Sequence, residues 1–293
     1  MSVRHVLVTL LVLTLGSTAL AAAPLRLGVV TDVHVHDTNS PNQHAVMTNY
    51  AERLDAFVAA MIAWPADAVF ELGDLVNGAF VMGAPVGDTA RIAGLLDTAV
   101  ESLARFPGPK YFVLGNHDVY NLSKTEFLET VDAPSTTSSF DLAGYHMVLL
   151  DAQFNKAGQD YENITWMVQG TVPAAELEWL RTDLAATTLP TVVFIHQPLD
   201  VEFELEAGGP PVSNHAEVQA VLAQSGHVIA VFQGHSHVSR ATVQDGIHYI
   251  TFAAMVDHDV PTPPSWAAVT LDADARTVQI DGAGLQDDLE FTY

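Results

Sequence analysis

The stretch Lys110-Tyr111-Phe112-Val113-Leu114-Gly115-Asn116-His117-Asp118 decides how this chain is read. Its first half is an apolar, β-prone run. Its second half places an amide, an imidazole and a carboxylate directly after a glycine. A buried strand ending in a sharp turn is expected, with Gly115 supplying backbone angles closed to other residues. Three polar side chains at such a strand end are costly to bury unless they bind something. The same pattern recurs outward in both directions. Leu25–Val30 runs into Thr31-Asp32-Val33-His34, and Ala68–Leu72 runs into Gly73-Asp74. Thr191–Ile195 ends in His196-Gln197-Pro198, and Val228–Phe232 ends in Gln233-Gly234-His235-Ser236-His237.

The remaining strand signals are Tyr145–Leu150 and Ile247–Phe252, with Trp266–Leu271, Thr277–Ile280 and Ser138–Leu142 suited to antiparallel pairing. Most are continuous apolar runs, as expected of strands covered on both faces. Helical spacing joins Tyr50, Leu54, Phe57, Met61 and Ile62, and again Ile92, Leu95, Leu96, Ala99, Val100 and Leu103, with Asp88 or Thr89 as N-cap. Pro173 opens a third helix with Leu177, Leu180 and Leu184 inward. A fourth starts near Ser213 or Asn214, has a capping-box-like Glu217, and stops before Gly226. Alternating strands and helices predict an α/β fold, and the strand-rich later part predicts a second sheet packed on the first. Segments Gln153–Val172 and Asp200–Pro211 fit no regular element and read as rims or surface loops. Within the latter, Glu202, Glu204 and Glu206 alternate with Val201, Phe203 and Leu205 like a half-exposed strand.

Composition sets bounds on function. The chain has 293 residues, 49% of them hydrophobic, enough for a sizeable core. Its 11 basic residues face 35 acidic ones, a formal charge of −24. That excludes a nucleic-acid polymer held through basic patches. A phosphate-bearing substrate would instead need a local positive centre, which metal ions can supply. There is no cysteine, hence no disulfide and no thiolate ligand. Arg4 and His5 precede an apolar run from Val6 to Leu15, and Ala19, Ala21 and Ala23 follow. Residues 1–23 are therefore expected to be a signal peptide, cut after Ala21 or Ala23, ahead of one domain spanning 24–293. The expected location is secreted or periplasmic. The apolar run falls short of the ~20 residues that span a bilayer, so no stable membrane span is expected after cleavage. An uncleaved anchor is the bland alternative.

Together five strand ends carry Asp32, His34, Asp74, Asn116, His117, His196, His235 and His237. A two-metal centre needs such a list, with one carboxylate shared between the ions, and Asp74, alone after its strand, is the natural bridge. Asp32 and His34 sit on alternate positions, as do His235 and His237, so each pair can face one side of an extended segment. Carboxylate, imidazole and amide without thiolate suit Mn, Fe, Zn or Mg.

The ordered set Asp-x-His, Gly-Asp, Gly-Asn-His-Asp, a lone His and Gly-His-x-His resembles the calcineurin-like metallophosphoesterases over Leu25 to Phe252. The resemblance implies a two-sheet β-sandwich flanked by helices on both outer faces. It implies two divalent or trivalent metal ions, one served by Asp32, His34 and His237, the other by Asn116, His196 and His235, with Asp74 bridging. It implies that His117 protonates the leaving oxygen and that Asp118 orients His117. The implied reaction is hydrolysis of a small phosphoester by an activated water. A phosphomonoester or nucleotide is preferred slightly over a phosphodiester of the cyclic nucleotide type. A metal-binding protein without turnover on this scaffold ranks lower, because no ligand is missing. A metal hydrolase of non-phosphate esters or lactams lacks its expected His-x-His-x-Asp-His motif. Asn77 stands where relatives often carry an acid, which predicts altered loop hydrogen bonding and retained chemistry. His36 also departs from many relatives. Asp257 and His258 have no assignable pattern, and Tyr120 and Asn121 either contact substrate or pack. His5, His44, His146, His215, His227 and His248 read as caps or satisfied buried histidines.

Overall fold

The computed structural model describes residues 23–38, 47–78, 80–81, 84–85, 89–161, 169–200, 210–256 and 263–293. The elements run in order β1 (Leu25–Val30), α1 (Tyr50–Ala63), β2 (Ala68–Glu71), β3 (Phe80–Val81), β4 (Ala84–Pro85), α2 (Thr89–Leu103) and β5 (Lys110–Phe112). Then come α3 (Lys124–Val131), β6 (Ser138–Leu142), β7 (Tyr145–Leu149), α4 (Ala174–Ala185), β8 (Thr191–Phe194), α5 (His215–Ser225) and β9 (Val228–Gln233). The chain closes with β10 (Arg240–Gln244), β11 (Ile247–Thr251), β12 (Trp266–Asp272), β13 (Thr277–Ala283) and β14 (Leu289–Thr292).

Two six-stranded sheets form, ordered β14-β13-β12-β1-β2-β5 and β10-β11-β9-β8-β7-β6. Pairing is parallel through β1–β2–β5 in one sheet, where β5 is an edge, and through β7–β8–β9–β11 in the other, and antiparallel strands complete the remaining edges. Strand pleating sends alternate side chains to opposite faces. In β1 and β2, Leu27, Val29 and Phe70 join Met147, Val192, Phe194 and Phe232 in a core between the sheets. Their neighbours Val30 and Val69 face Leu54, Phe57 and Met61 of α1 and Leu96 of α2. On the other sheet Val148, Val193 and Ile195 face Leu180 of α4 and Leu222 of α5. The result is four layers, helices outside and sheets within, as the resemblance implies. Phe70 stacks on Phe194 across the sheets at 4.1 Å. Each such buried aromatic contributes roughly 1.5–3 kcal/mol by burial.

Local expectations needed several corrections. In α1, Val58 rather than Ile62 completes the inward stripe, and Ile62 is 48% exposed, because it falls beyond the stripe's edge. The capping box expected at Asn214 is absent. Its carboxamide instead bridges to Val172, accepting from the backbone N–H and donating to the carbonyl. A true capping box, Ser123 with Glu126, opens α3, which is too short to show an apolar period. The edge strands β10 and β14 are likewise too polar to announce themselves. Residues 1–22, Asp88, segments 162–168 and 201–209, and Asp257 with His258 lie outside the described residues, as do His5 and His44. Among the described residues no helix is long and apolar enough to cross a membrane.

Candidate metal centre

Parallel pairing carries the strand ends to one edge, where sites form in such sheets. Past β1 and β2 the ladder continues: the Asp32 N–H donates to Gly73 O (3.0 Å) and the His34 N–H to Asp74 O (2.9 Å). The second sheet joins from the other side. The His235 backbone N–H donates to Asp32 Oδ2 (2.9 Å), and His196 Nδ1 donates to Leu72 O (2.8 Å). Thr31 Oγ1 also donates to Asp32 Oδ2 (2.7 Å), fixing that carboxylate. Five ligand candidates, Asp32, His34, Asp74, His235 and His237, adopt φ between 50° and 68°. Non-glycine residues there cost of order 1–3 kcal/mol each, a strain that gathers at functional sites.

Glycine is needed here for room. A Cβ on Gly115 would lie 2.1 Å from Asp74 N and 2.3 Å from Asp74 Oδ1, and one on Gly234 would lie 2.1 Å from Thr31 Oγ1. Gly115 does not occupy the left-handed region, so the turn-angle reason read from sequence is replaced by close approach.

Seven of the eight sequence candidates, Asp32, His34, Asp74, His117, His196, His235 and His237, converge in side-chain groups, and Asn116 lies next to His117 in the chain. Potential ligand atoms of Asp32, His34 and His237 lie within 4.8 Å of one another, as do those of Asp74, His196 and His235. Asp74 Oδ2 joins the groups, 3.7 Å from His34 Nε2 and 3.2 Å from His196 Nε2. Its other oxygen accepts the His117 backbone N–H (2.7 Å), which leaves Oδ2 as the shared atom. His34 Nε2 and His237 Nε2 stand 3.1 Å apart, and His237 Nε2 lies 3.2 Å from Asp32 Oδ1. Two imidazole lone pairs so close repel unless a proton or cation lies between them.

The donors fit metal. Asp32 Oδ1 and Asn116 Oδ1 are buried without a hydrogen-bond partner. His196 and His34 bind Leu72 O and Asn77 Oδ1 through Nδ1, leaving Nε2 as the donor, the usual outer support of a metal-bound histidine. Burial opposes charge on Asp32, but His237 and its neighbours outweigh it and hold the carboxyl well below the usual range. Asp74 is lowered in the same way, chiefly by His196 against its burial. Burial likewise opposes charge on His196, yet Asp74 and Asp32 lift it to about 9. A cation would take the place of that proton. Burial pushes His235 and His117 down to about 3, so both imidazoles are neutral.

One expected role fails. Asp118 does not touch the His117 imidazole, whose Nδ1 is buried without a hydrogen-bond partner. The Asp118 carboxylate accepts backbone N–H groups from Asp74 (3.0 Å), Val76 (3.0 Å) and Gly115 (2.9 Å). It clamps the Asp74 turn to the Gly115 turn. Burial pushes its carboxyl up to about 7, with the Val76 and Gly115 N–H groups pulling the other way. The His117 ring instead packs edge-on against His34 (4.6 Å between centroids) and against Tyr120 (4.4 Å).

Sequence reading gave no metal-site role to Thr31, Asn77 or Tyr120. Asn77 reads in the sequence only as a departure from relatives, and Tyr120 lies four residues after Asn116, a spacing that brings side chains together in a helical turn. Glu71 is another surprise: a buried acid inside an apolar strand, raised well above the carboxylate range by burial and by Asp118. Outside the cluster, His146 pairs with Asp141 and Asp183, and His248 stacks on Phe291. His36 Nδ1 accepts from the Thr38 backbone N–H. His215 Nδ1 and His227 Nε2 are buried without partners, so the expectation of satisfied histidines fails for that pair.

A four-layer sandwich with two ligand groups sharing one aspartate at the strand ends defines a dinuclear metal hydrolase. The chain belongs to the calcineurin-like phosphoesterases, whose family model matches residues 25–239, and it is a metal-dependent phosphoric ester hydrolase. A dimetal phosphatase from Danio rerio superposes with a TM-score of 0.75 at 20% identity, covering 92% of this chain and 100% of that one. A probable cyclic nucleotide phosphodiesterase of Fibrobacter succinogenes is 23% identical, covering 80% of this chain and 82% of that protein. A manganese-dependent ADP-ribose/CDP-alcohol diphosphatase of Xenopus laevis is 21% identical over 91% of this chain and 90% of its own length.

Proposed function

We propose that this protein hydrolyses small nucleotide-type phosphoesters whose phosphorus carries two substituents, a phosphodiester or a diphosphoester. The observation that carries the hydrolytic reading is Asp74 Oδ2 standing between His34 and His196 with the His117 ring alongside. Asp32, His34 and His237 would hold one ion and Asn116, His196 and His235 the other, with Asp74 common to both. When bound, such ions act as Lewis acids toward phosphoryl oxygens and lower the pKa of a bound water.

The chain's own groups do the rest. Asp32 and Asp74 are fixed by N–H and hydroxyl donors, so they do not reorganise as the substrate arrives. His117 is neutral in the free protein. A phosphoryl anion beside it favours the protonated imidazole, so a proton taken up from solvent as the substrate binds would pass from His117 to the departing oxygen.

Among the described residues no lysine or arginine is paired with a ligand of the cluster. Arg91, Arg105, Lys124, Arg181 and Arg240 are engaged with Asp37, Asp55, Asp151, Glu178 and Asp200. The charge of the substrate phosphorus would then be met by the metal ions. The two-substituent class is supported by the names of the Fibrobacter and Xenopus relatives. Manganese is the proposed metal, from the nitrogen and oxygen donor set and the Xenopus relative's name. Export is proposed from the leader-like residues 1–23.

The test compares kcat/KM of the manganese-loaded protein on a bis-aryl phosphate and an aryl phosphate, followed by ADP-ribose and a cyclic nucleotide. A larger value on the diester supports the reading, and a larger value on the monoester returns preference to phosphomonoesters. Turnover of none of them, with both metals bound, would favour a binding protein.

A further inference from the structure

We infer that Tyr120 is a positioning residue that anchors the NH2 end of the Asn116 carboxamide and so holds its oxygen toward the metal pair. The inference rests on Asn116 being a metal ligand. A carboxamide has two ends of nearly equal shape, an oxygen that can ligate a cation and an NH2 that cannot. Nothing in the covalent structure of Asn116 distinguishes them, so the surroundings must. Asn116 Nδ2 donates to the Tyr120 hydroxyl oxygen at 3.1 Å. That bond consumes the NH2 end and leaves Oδ1 buried with no hydrogen-bond partner, as a ligating atom must be.

The local fold brings the two together. The Tyr120 N–H donates to the His117 carbonyl (3.3 Å), closing a turn that returns the tyrosine side chain beside Asn116. Tyr120 is 1% exposed and packs with Val119, Leu122 and Phe127, so its ring is held. Its ring also lies against His117.

The experiment titrates chelator-stripped protein with Mn2+ by calorimetry, for wild type, Tyr120→Phe, Asn116→Ala, Asn116→Asp and the double variant Tyr120→Phe/Asn116→Asp. Thermal melts of the metal-free forms run alongside. Tyr120→Phe is expected to weaken one of two manganese sites by ~10–100-fold, the usual cost of losing an outer partner of a metal ligand. The other site should keep its affinity. In the Asn116→Asp background both ends of the side chain are oxygens, so the same substitution should cost at most a small fraction of that. Asn116→Ala with two undiminished sites would remove Asn116 from the ligand set, and the reading beneath the inference would fall. Asn116→Ala losing a site while Tyr120→Phe keeps both would overturn the inference alone. So would an equal Tyr120→Phe effect in the Asn116→Asp background, which would mark Tyr120 as ordinary packing.

Discussion

Replacing Asp118 separates two roles that its place beside His117 confuses. Its carboxylate is fully buried and accepts three backbone N–H groups at 2.9–3.0 Å, from Asp74, Val76 and Gly115. Oδ2 takes two of them and Oδ1 takes one. Asp118→Ala strands all three donors. At ~1–3 kcal/mol per buried unsatisfied group that totals about 3–9 kcal/mol, a large part of the ~5–15 kcal/mol of a typical folded domain. Asp118→Asn is the more informative change. The amide oxygen can keep the two bonds of Oδ2, while its NH2 meets the Val76 N–H head on. One donor is then lost, about 1–3 kcal/mol, or a Tm fall of roughly 2–12 °C at ~2–4 °C per kcal/mol for a chain of this order of size. The assay is a thermal melt of the metal-free protein beside kcat on a substrate with a poor leaving group. Lower Tm with kcat reduced in step with a loosened Asp74 turn is the expected result. An unchanged Tm with kcat as low as that of His117→Ala would show that Asp118 works through the imidazole, and the clamp reading would be wrong.

His117→Ala should retain metal, since Asp74, His34 and His196 are held by the His117 backbone N–H, Asn77 Oδ1 and Leu72 O, which the substitution keeps. Its kcat on poor leaving groups should fall by ~10²–10⁴, the general-acid range, and calorimetry with matched kinetics on good and poor leaving groups checks both halves. His146 offers a pH test far from the metals. Burial opposes its charge, but hydrogen bonds to Asp141 (2.7 Å) and Asp183 (2.8 Å) raise its pKa overall. The folded state therefore holds the proton more tightly. The stabilisation is fully present below the unfolded value of ~6.5 and is lost as pH rises through the higher folded value. Urea melts from pH 5 to 9 should show that loss in the wild type and not in His146→Gln.

Much of the fold and of the donor list was legible in the chain because each piece is local. An apolar run such as Thr191–Ile195 announces a buried strand, and a histidine set directly after it has few structural reasons to be there. Repeated at five strand ends, that pattern determined the α/β class, the second sheet and the set from Asp32 to His237. Short polar elements such as α3 and β14 were not legible, since tertiary contact rather than periodicity stabilises them. The finer assignments belonged to the tertiary structure alone. Asp118 lies beside His117 in sequence but serves the turn holding Asp74, 44 residues away. Gly115 is a glycine because Asp74 crowds it, and one end each of Asp74 and Asn116 is held by the His117 N–H and the Tyr120 hydroxyl. The physical reason is range. Burial of apolar runs is non-directional and survives as a pattern in one dimension. A hydrogen bond or a metal bond is made or lost within half an ångström, and only the packed chain fixes distances that finely.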